Sequence, residues 1–508
     1  MRRRDLILGA AALPFGAGLF AQLAEIPLAQ TGDAAPFNAS QVRQIARDMA
    51  SKPYKAPDTG LPDELKDLPY DRYRDLRFVP ERAIWRGEGL PFEVQLFHRG
   101  FLYSNRVDIF VVAEGQARPL VYSRDLFTFG QVTPPPPNVN LGFAGFRLHG
   151  PINRPDYYDE IAAFLGASYF RSLAKGQGYG LSARGLAINT ASPEGEEFPV
   201  FRSFWIERPA KGTSSIVVHA LLDSKSASAS YRFTIRPGDT TIFDVEMAIY
   251  PRQDVEQAGL GPLTSMFFFG PNDRSDVDDF RSAVHDSDGL ALWNGRGERL
   301  WRPLTNPNQL QISVFGDANP RGFGLMQRHR NFWDFDDLEA RYEKRPSLWI
   351  EPIGDWGEGA VYLVEIPTKE EIHDNIAAFW RPKEPLRKGA EYLYNYRMHW
   401  CGPNPFDQSD LLTFHDTRMG AAGDNRLFVI DIAGARIKDL QLDDQVKPVI
   451  SANPGKLSNV VLQPNSETGG WRLSFQLDPD DEPLVEMRAQ LFRADQPLSE
   501  VWIYRWTA

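Results

Sequence analysis

The chain has 508 residues and a formal net charge of −11 at pH 7. This length suffices for two or more domains with a large buried core. The negative charge argues against a nucleic-acid partner and suits a neutral substrate. Cys401 is the only cysteine, which excludes a disulfide within the chain. No base for a nucleophilic thiol is identifiable, so we expect Cys401 to be buried and structural.

The first 35 residues predict an export leader. Arg2, Arg3 and Arg4 precede an apolar stretch that runs from Leu6 to Ala21. A charged start and a short apolar core are typical of a signal peptide, and the paired arginines favour the twin-arginine pathway. An uncleaved anchor is the alternative, but the run is shorter than the ~20 residues that a span usually needs. We expect a periplasmic protein without a stable membrane span after leader cleavage.

Strand patterns dominate residues 36–398, which we interpret as a large β-sandwich domain. Helical spacing predicts a helix after Ser40, which can cap it, and a second helix over residues 157–165. Alternating residues on both sides of Pro237-Gly238-Asp239 predict a β-hairpin over residues 231–250. Further strands are predicted over residues 106–112, 215–222 and 360–366, and an extended surface loop at the proline run 134–137.

Residues 399–406 contain glycine and two prolines and predict a linker. The following segment, 407–508, has short alternating runs separated by turn residues. This spacing predicts a small β-sandwich of immunoglobulin size. Its strands are expected over residues 426–432, 471–477, 485–492 and 501–506.

Two stretches are rich in chemically active side chains. Residues 272–289 contain six aspartates. One of them can serve as a catalytic base or a sugar ligand; alternatively, the segment is a polar loop whose Asp side chains form Asx-turns. Residues 329–380 interleave Trp, Tyr, Arg, Asp and Glu, the mixture that binds oligosaccharides. An aromatic β core with surface ion pairs explains the second stretch equally well. Glycoside chemistry needs two carboxyl groups, and the composition offers too many candidates to choose a pair.

Other chemistries lack their motifs. Residues 276–288 do not follow an EF-hand pattern, and the eight histidines show no pair at zinc-ligand spacing. There is no Gly-x-Ser-x-Gly, P-loop or dinucleotide fingerprint. We therefore expect no metal and no cofactor.

Several longer motifs point to a known family. They are Asp278-Asp279-Phe280-Arg281, the run from Val284 to Leu290, Trp301-Arg302-Pro303-Leu304, Arg345-Pro346-Ser347 with Trp349 and Glu351-Pro352, Gly354-Asp355-Trp356-Gly357, and Asp374-Asn375-Ile376 before Phe379-Trp380. These segments resemble the periplasmic glucan biosynthesis family OpgG/OpgD (MdoG/MdoD), and the resemblance extends from about Phe37 to the C-terminus. The leader favours the OpgD branch.

The resemblance implies a galactose-mutarotase-like β-sandwich followed by an immunoglobulin-like domain. It also implies action on β-1,2-glucan, as an inverting glucanase or a glucan transglycosylase. A non-catalytic glucan-binding or backbone-modifying accessory protein is the alternative, and a mutarotase-like isomerase is a more distant one. The oligomeric state is not indicated.

By motif match, Asp374 would be the general acid and Asp286 the general base, with Tyr342 and Glu371 beside them. Asp288 and Asp355 are the nearest alternatives to these two aspartates. A helical or tightly turned segment would bring the Glu371 carboxylate near Asp374 and favour the protonated form of one of them. The remaining substrate-binding residues expected from these motifs are Asp288, Arg345, Trp349, Glu351, Asp355, Trp356 and Trp380.

Overall fold

The computed structural model describes residues 32–274, 277–406, 410–443 and 445–508. The arginines and the apolar run of the predicted leader lie outside these residues. The structure is mainly β, which confirms the predicted fold class. It divides into a first unit, which ends at Pro262 and resumes over Arg381–Trp400, and a second unit, Leu263–Trp380 and Cys401–Ala508.

In the first unit, two sheets pack through aromatic side chains. Phe164 lies 5.4 Å from Phe204, and Phe170 lies 5.3 Å from Phe233, measured between ring centroids. One sheet has the strand order Ala35–Pro36, Gln116–Pro119, Asp108–Ala113, Val200–Glu207, Ile216–Asp223, Ala227–Arg236, Thr241–Pro251 and Tyr392–Cys401. The other has the order Ala258–Ser265, Ser182–Arg184, Tyr169–Ser172, Tyr157–Leu165, Gly145–Arg154 and Glu93–Phe97, and Ala187–Ile188 pairs with its first strand. A small ladder joins Arg77–Phe78 to Phe127–Thr128.

The predicted hairpin is confirmed. Ala227–Arg236 and Thr241–Pro251 pair antiparallel, and Arg236 lies opposite Ile242 at the turn. The strands predicted around residues 106–112, 215–222 and 360–366 are also present, as Asp108–Ala113, Ile216–Asp223 and Glu358–Glu365.

The first helix, Ala39–Ala50, is present, but Asn38 caps it instead of Ser40. The Asn38 side chain accepts a hydrogen bond from the backbone N–H of Ser40 at 3.0 Å, and the Gln41 side chain accepts one from the Asn38 N–H. Short helices follow at Asp63–Lys66 and Tyr70–Tyr73, with 3₁₀ turns at Pro80–Arg82 and Arg124–Leu126. None of the helices in the described part of the chain is long and apolar enough to cross a membrane.

The helix predicted over residues 157–165 is wrong, because this segment is the strand Tyr157–Leu165. It pairs with Gly145–Arg154 on one side and with Tyr169–Ser172 on the other. Ile161, Ala162, Ala163 and Phe164 are buried in succession, so both strand faces are covered. A short apolar run of this kind does not distinguish a buried strand from a helix by its spacing.

In the second unit, one sheet has the order Ser347–Ile353, Gly322–Met326, Gly289–Trp293, Arg299–Pro303, Val501–Thr507, Leu484–Arg493 and Val446–Asn453, with Gln496–Pro497 beside Leu484–Arg493. A second has the order Thr413–Ala422, Asn425–Ala433, Gly470–Asp478 and Lys456–Asn465. Further ladders join Gln311–Ala318, Glu358–Glu365 and Ile376–Pro382, and Phe267–Phe269 with Val284–His285. Its 3₁₀ turns are Phe332–Asp334, Tyr342–Lys344 and Ala435–Asp439.

The C-terminal strands appear where the sequence predicts them. They do not stand apart from the rest of the second unit, because Val501 pairs in parallel with Leu300. Side chains from residues 414–506 also share one apolar core with Trp301 and Trp349. The strand Tyr392–Cys401 includes His399, Trp400 and Cys401, the first three residues of the segment predicted as a linker. Cys401 is buried, as expected.

Candidate active site

Both chemically rich stretches of the sequence lie in the second unit, where they form one group of ionised side chains around Tyr342. We call Asp279, Arg281, Asp286, Asp337, Tyr342, Arg345 and Glu371 the charged cluster. A buried hydrophobic cluster packs against it. Phe335 packs 5.8 Å from the Tyr342 ring and 5.0 Å from His285, between centroids, with Met266 and Val284 in the same buried group.

Arg281 joins three chain segments through its guanidinium group. Its Nε and Nη2 donate to the two oxygens of Asp279, at 2.9 and 2.7 Å. Its Nη1 lies 2.9 Å from Asp337 Oδ2 and 2.7 Å from Glu371 Oε2. The arginine side chain is buried, so these carboxylates compensate a charge that water does not reach.

Arg345 forms the second charge pair of the cluster. It donates to Asp286, which is fully buried, and to the carbonyl of Ala340. Burial opposes the charged form of Arg345, but the carboxylate of Asp286 and the nearby Tyr342 raise the pKa of the guanidinium. The Arg345 guanidinium carbon lies 4.1 Å from the centre of the Tyr342 ring, and the Tyr342 hydroxyl donates to Glu371 Oε2 at 3.2 Å. Tyr342 therefore connects the two charge pairs.

Asp374 lies in the loop between the strands Glu358–Glu365 and Ile376–Pro382, three residues after Glu371 of the charged cluster, and it is exposed. Glu371 occupies a turn of the same loop. Asn375 fixes the loop through two side-chain hydrogen bonds to one backbone residue. Its side chain accepts from the Phe267 N–H at 2.8 Å and donates to the Phe267 carbonyl at 2.9 Å. Asn306 holds the start of the loop by donating to the Thr368 carbonyl and accepting from its N–H.

The cluster has an excess of negative charge, because two guanidinium groups face the four carboxylates of Asp279, Asp286, Asp337 and Glu371. Such a site repels anions. It also favours retention of a proton by a further carboxyl group nearby. The arrangement is therefore more compatible with a neutral ligand than with an anion.

Asp288 is structural in this arrangement. Its carboxylate accepts from the backbone N–H groups of Arg328 and His329 and from His329 Nδ1 at 2.7 Å. It borders a cavity of about 20 Å³, which has room for about one water molecule and none for a sugar. Packing requires a glycine at the next position, because a Cβ on Gly289 would lie 2.1 Å from the Trp301 ring.

His329 is a partly buried cation between two carboxylates. Burial by itself lowers the pKa of this imidazole, but the hydrogen bonds to Asp288 and Asp416 raise it to about 10. His329 in turn lowers the pKa of Asp288 against the opposing effect of burial. The neighbouring His285 and His415 rings lie 6.3 and 5.6 Å away between centroids, and burial lowers the pKa of both.

The tryptophans predicted to stack on sugar lie in the core instead. Trp349, Trp356 and Trp380 are all buried, so they offer no free ring face. Glu351 is half-buried on the strand Ser347–Ile353. Asp355 is exposed and accepts a hydrogen bond from the Gly357 N–H at 2.8 Å, which is an Asx-turn.

Two exposed aromatic residues lie on the loops that Ser282 and Asp336 join, and neither is among the substrate-binding residues predicted from the sequence. Phe280, 78% exposed, stands between Asp279 and Arg281, and Trp333, 77% exposed, lies on the turn Phe332–Asp334. Ser282 Oγ donates to Asp336 Oδ2 at 3.2 Å and so joins the two loops. The signal that could have found these residues is an aromatic ring flanked by charged residues outside any alternating run.

Within residues 32–274, 277–406, 410–443 and 445–508, no group of three or more His, Cys, Asp or Glu side chains is arranged to hold a metal ion. Fold and site thus define a mainly β protein with a largely buried, carboxylate-rich cluster and two exposed aromatic residues on loops that Ser282 and Asp336 join. The family model described as "Periplasmic glucan biosynthesis protein, MdoG" matches residues 37–506. The chain belongs to this family.

Among its relatives is Glucans biosynthesis protein G of Rhodopseudomonas palustris (strain BisA53), 61% identical over 100% of both chains. The protein of the same name from Bradyrhizobium diazoefficiens is 60% identical, also over 100% of both chains. That of Vibrio cholerae serotype O1 is 50% identical over 95% of this chain and 88% of its own. These relatives are all named G, so the preference for the OpgD branch, which rested on the leader, is not supported.

The His329 ion pairs predict a pH-dependent stability. Because the folded-state pKa of about 10 exceeds the ordinary value of 6.5, their contribution is complete below about pH 6.5 and is lost as the pH rises through about 10. We expect His329→Gln to lower the free energy of unfolding by about 3–5 kcal/mol at pH 6, since it removes the cation that two buried carboxylates share. The difference from the wild type should shrink towards pH 10.5 in denaturant titrations.

His415→Gln is the matched control. Burial lowers the pKa of His415, so this imidazole is neutral above pH 6.5 and its replacement should show no such decline. A His329→Gln penalty that stays constant from pH 6 to pH 10.5 would contradict the charged state assigned to His329.

Proposed function

We propose that this periplasmic glucan biosynthesis protein cleaves or transfers β-1,2-glucan chains, with Asp374 as general acid and Asp286 as general base. The observation that supports it best is the loop holding Asp374. This loop carries an exposed carboxyl group and is bonded, through Glu371, to the cluster that contains Asp286. One exposed and one buried carboxyl group have different surroundings, as an acid and a base require.

Asp374 suits the acid role because a leaving oxygen can reach an exposed side chain. Glu371 lies three residues before it, and the surplus negative charge of the cluster favours a carboxyl group that keeps its proton. The rigid attachment of the loop through Asn375 and Asn306 fixes where that proton is delivered.

Asp286 suits a base that acts on the attacking oxygen indirectly, without touching the sugar. It has no exposed surface, and Arg345 compensates its charge. A water molecule or a hydroxyl group must therefore connect Asp286 to the attacking oxygen. In this proposal Tyr342, which is stacked on Arg345 and bonded to Glu371, orders that oxygen.

The alternative is a glucan-binding accessory protein that uses the same surface without chemistry. Incubating the pure protein with linear β-1,2-glucan and following chain length separates the two. Asp374→Asn and Asp286→Asn should each abolish the change in chain length while the circular dichroism spectrum stays that of the wild type. Asp355→Asn is the matched control, because its exposed side chain can still cap the turn, and it should keep full activity.

Two results would contradict the assignment. If the wild-type protein binds glucan tightly but does not change its chain length, the accessory role is favoured. Full activity of Asp374→Asn or Asp286→Asn, with loss in Asp355→Asn, would move the carboxyl pair to other residues.

Phe280 and Trp333 provide the exposed ring faces that the buried tryptophans do not. Trp333→Ala should raise KM for β-1,2-glucan about 2- to 10-fold and leave kcat nearly unchanged, the loss expected for one aromatic contact of about 0.5–1.5 kcal/mol. Val461→Ala, an exposed apolar change on the strand Lys456–Asn465, serves as the control. Identical kinetics of Trp333→Ala and Val461→Ala would exclude Trp333 from the binding surface.

Export by the twin-arginine pathway belongs to the same proposal and rests on the paired arginines of the leader. Arg3→Lys combined with Arg4→Lys should leave the precursor in the cytoplasm, as measured by cell fractionation and immunoblotting. Arg2→Lys is the control and should be exported normally. Normal periplasmic levels of the double variant would point to a different export route.

A further inference from the structure

The first unit contains an open pocket that the proposed reaction does not use. Its volume is about 320 Å³, within the range of small-ligand sites. The lining residues that bear on its chemistry are Tyr54, Asn189, Glu196, Glu197, Phe198 and Lys225. All lie before Pro262, whereas the charged cluster belongs to the second unit.

Hydrogen bonds within the protein hold the Glu196 and Glu197 side chains of the pocket in place before any ligand binds. Glu196 Oε1 accepts from Arg184 at 2.5 Å and from the Thr190 hydroxyl at 2.6 Å, so both of these bonds end on the same oxygen. Glu197 accepts from the backbone N–H and the hydroxyl of Ser226, at 2.9 and 2.6 Å. Carboxylates held in this way accept further hydrogen bonds without losing side-chain freedom.

Backbone geometry shapes the loop that carries them. Asn189 adopts a left-handed conformation with φ of 56°, and its carbonyl accepts from the Ser192 N–H. The Glu197 N–H donates to the Ile188 carbonyl, which closes the loop. The loop therefore presents Phe198 at the pocket, with 52% of this large apolar side chain exposed.

These groups match a neutral sugar better than other small ligands. An exposed aromatic face packs on the apolar side of a pyranose, fixed carboxylates accept hydroxyl protons, and Asn189 and Lys225 donate to ring and hydroxyl oxygens. The glutamates disfavour an anion. A metal ion is disfavoured because the described residues contain no group of three ligand side chains arranged to hold one.

We propose that this pocket is a second carbohydrate-binding site, which holds a segment of neutral β-linked glucan without reacting with it. The identity of the glucan rests on the proposed function, whereas the pocket and its polarity do not. Phe198 is the stacking residue, and Glu196 and Glu197 accept hydroxyl groups.

Isothermal titration calorimetry with a linear β-1,2-linked gluco-oligosaccharide tests the proposal in the Asp374→Asn background, which prevents turnover. We expect two oligosaccharides per chain without further changes and one in Phe198→Ala. Tyr157→Ala removes another exposed aromatic side chain of the first unit and should keep both. In the wild-type background, Phe198→Ala should leave kcat on short oligosaccharides unchanged.

An equal number of sites and equal affinities in Phe198→Ala and Tyr157→Ala would overturn the second site. This result is distinguishable from failure of the proposed reaction. A protein that leaves glucan intact, yet loses one binding event in Phe198→Ala, has the second site without the activity. A protein that shortens glucan but binds at one site, unaffected by Phe198→Ala, has the activity without the second site.

Discussion

Compensation of the buried Arg281 charge is the constraint on which the candidate site depends. Its guanidinium group binds carboxylates from three segments of the chain, at Asp279, Asp337 and Glu371. Removing one partner of a buried ion pair typically costs about 3–5 kcal/mol, because the remaining charge has neither water nor a counter-ion. Three loops without regular structure are therefore kept in one arrangement by electrostatics, where a β-sheet would use backbone hydrogen bonds.

The same constraint separates the roles of the acidic residues. Carboxylates that compensate buried cations have their hydrogen-bonding capacity occupied, as Asp288 shows with His329 and two backbone N–H groups. Asp374 differs because it is exposed on a loop whose position is fixed by Asn375 and Asn306. The structural acids thus supply a rigid, negatively charged support, and the exposed acid can meet a substrate. Burial of Asp286 makes its access to an attacking oxygen indirect.

Local sequence predicts those elements whose stabilising contacts are local. The hairpin over residues 227–251 follows from alternation and a Pro-Gly-Asp turn, and the C-terminal strands follow from the same pattern. The strand Tyr157–Leu165 was mistaken for a helix because its pairing partners, not its spacing, determine its structure. For the site, the motif match names Tyr342 and Glu371 as neighbours of the proposed acid and base, and the structure joins these two side chains by a hydrogen bond. The motifs do not distinguish buried Trp349, Trp356 and Trp380 from exposed Phe280 and Trp333, since exposure depends on the packing of distant strands.

The most direct measurement is a crystal structure of the Asp374→Asn protein with a linear β-1,2-glucan bound. We expect a glycosidic oxygen within hydrogen-bond distance of residue 374. We also expect an ordered water molecule or sugar hydroxyl near Tyr342 that leads towards Asp286, and ring contacts at Phe280 or Trp333. Glucan bound in the second unit with no glycosidic oxygen near residue 374, or glucan found only in the pocket at Phe198, would contradict this expectation.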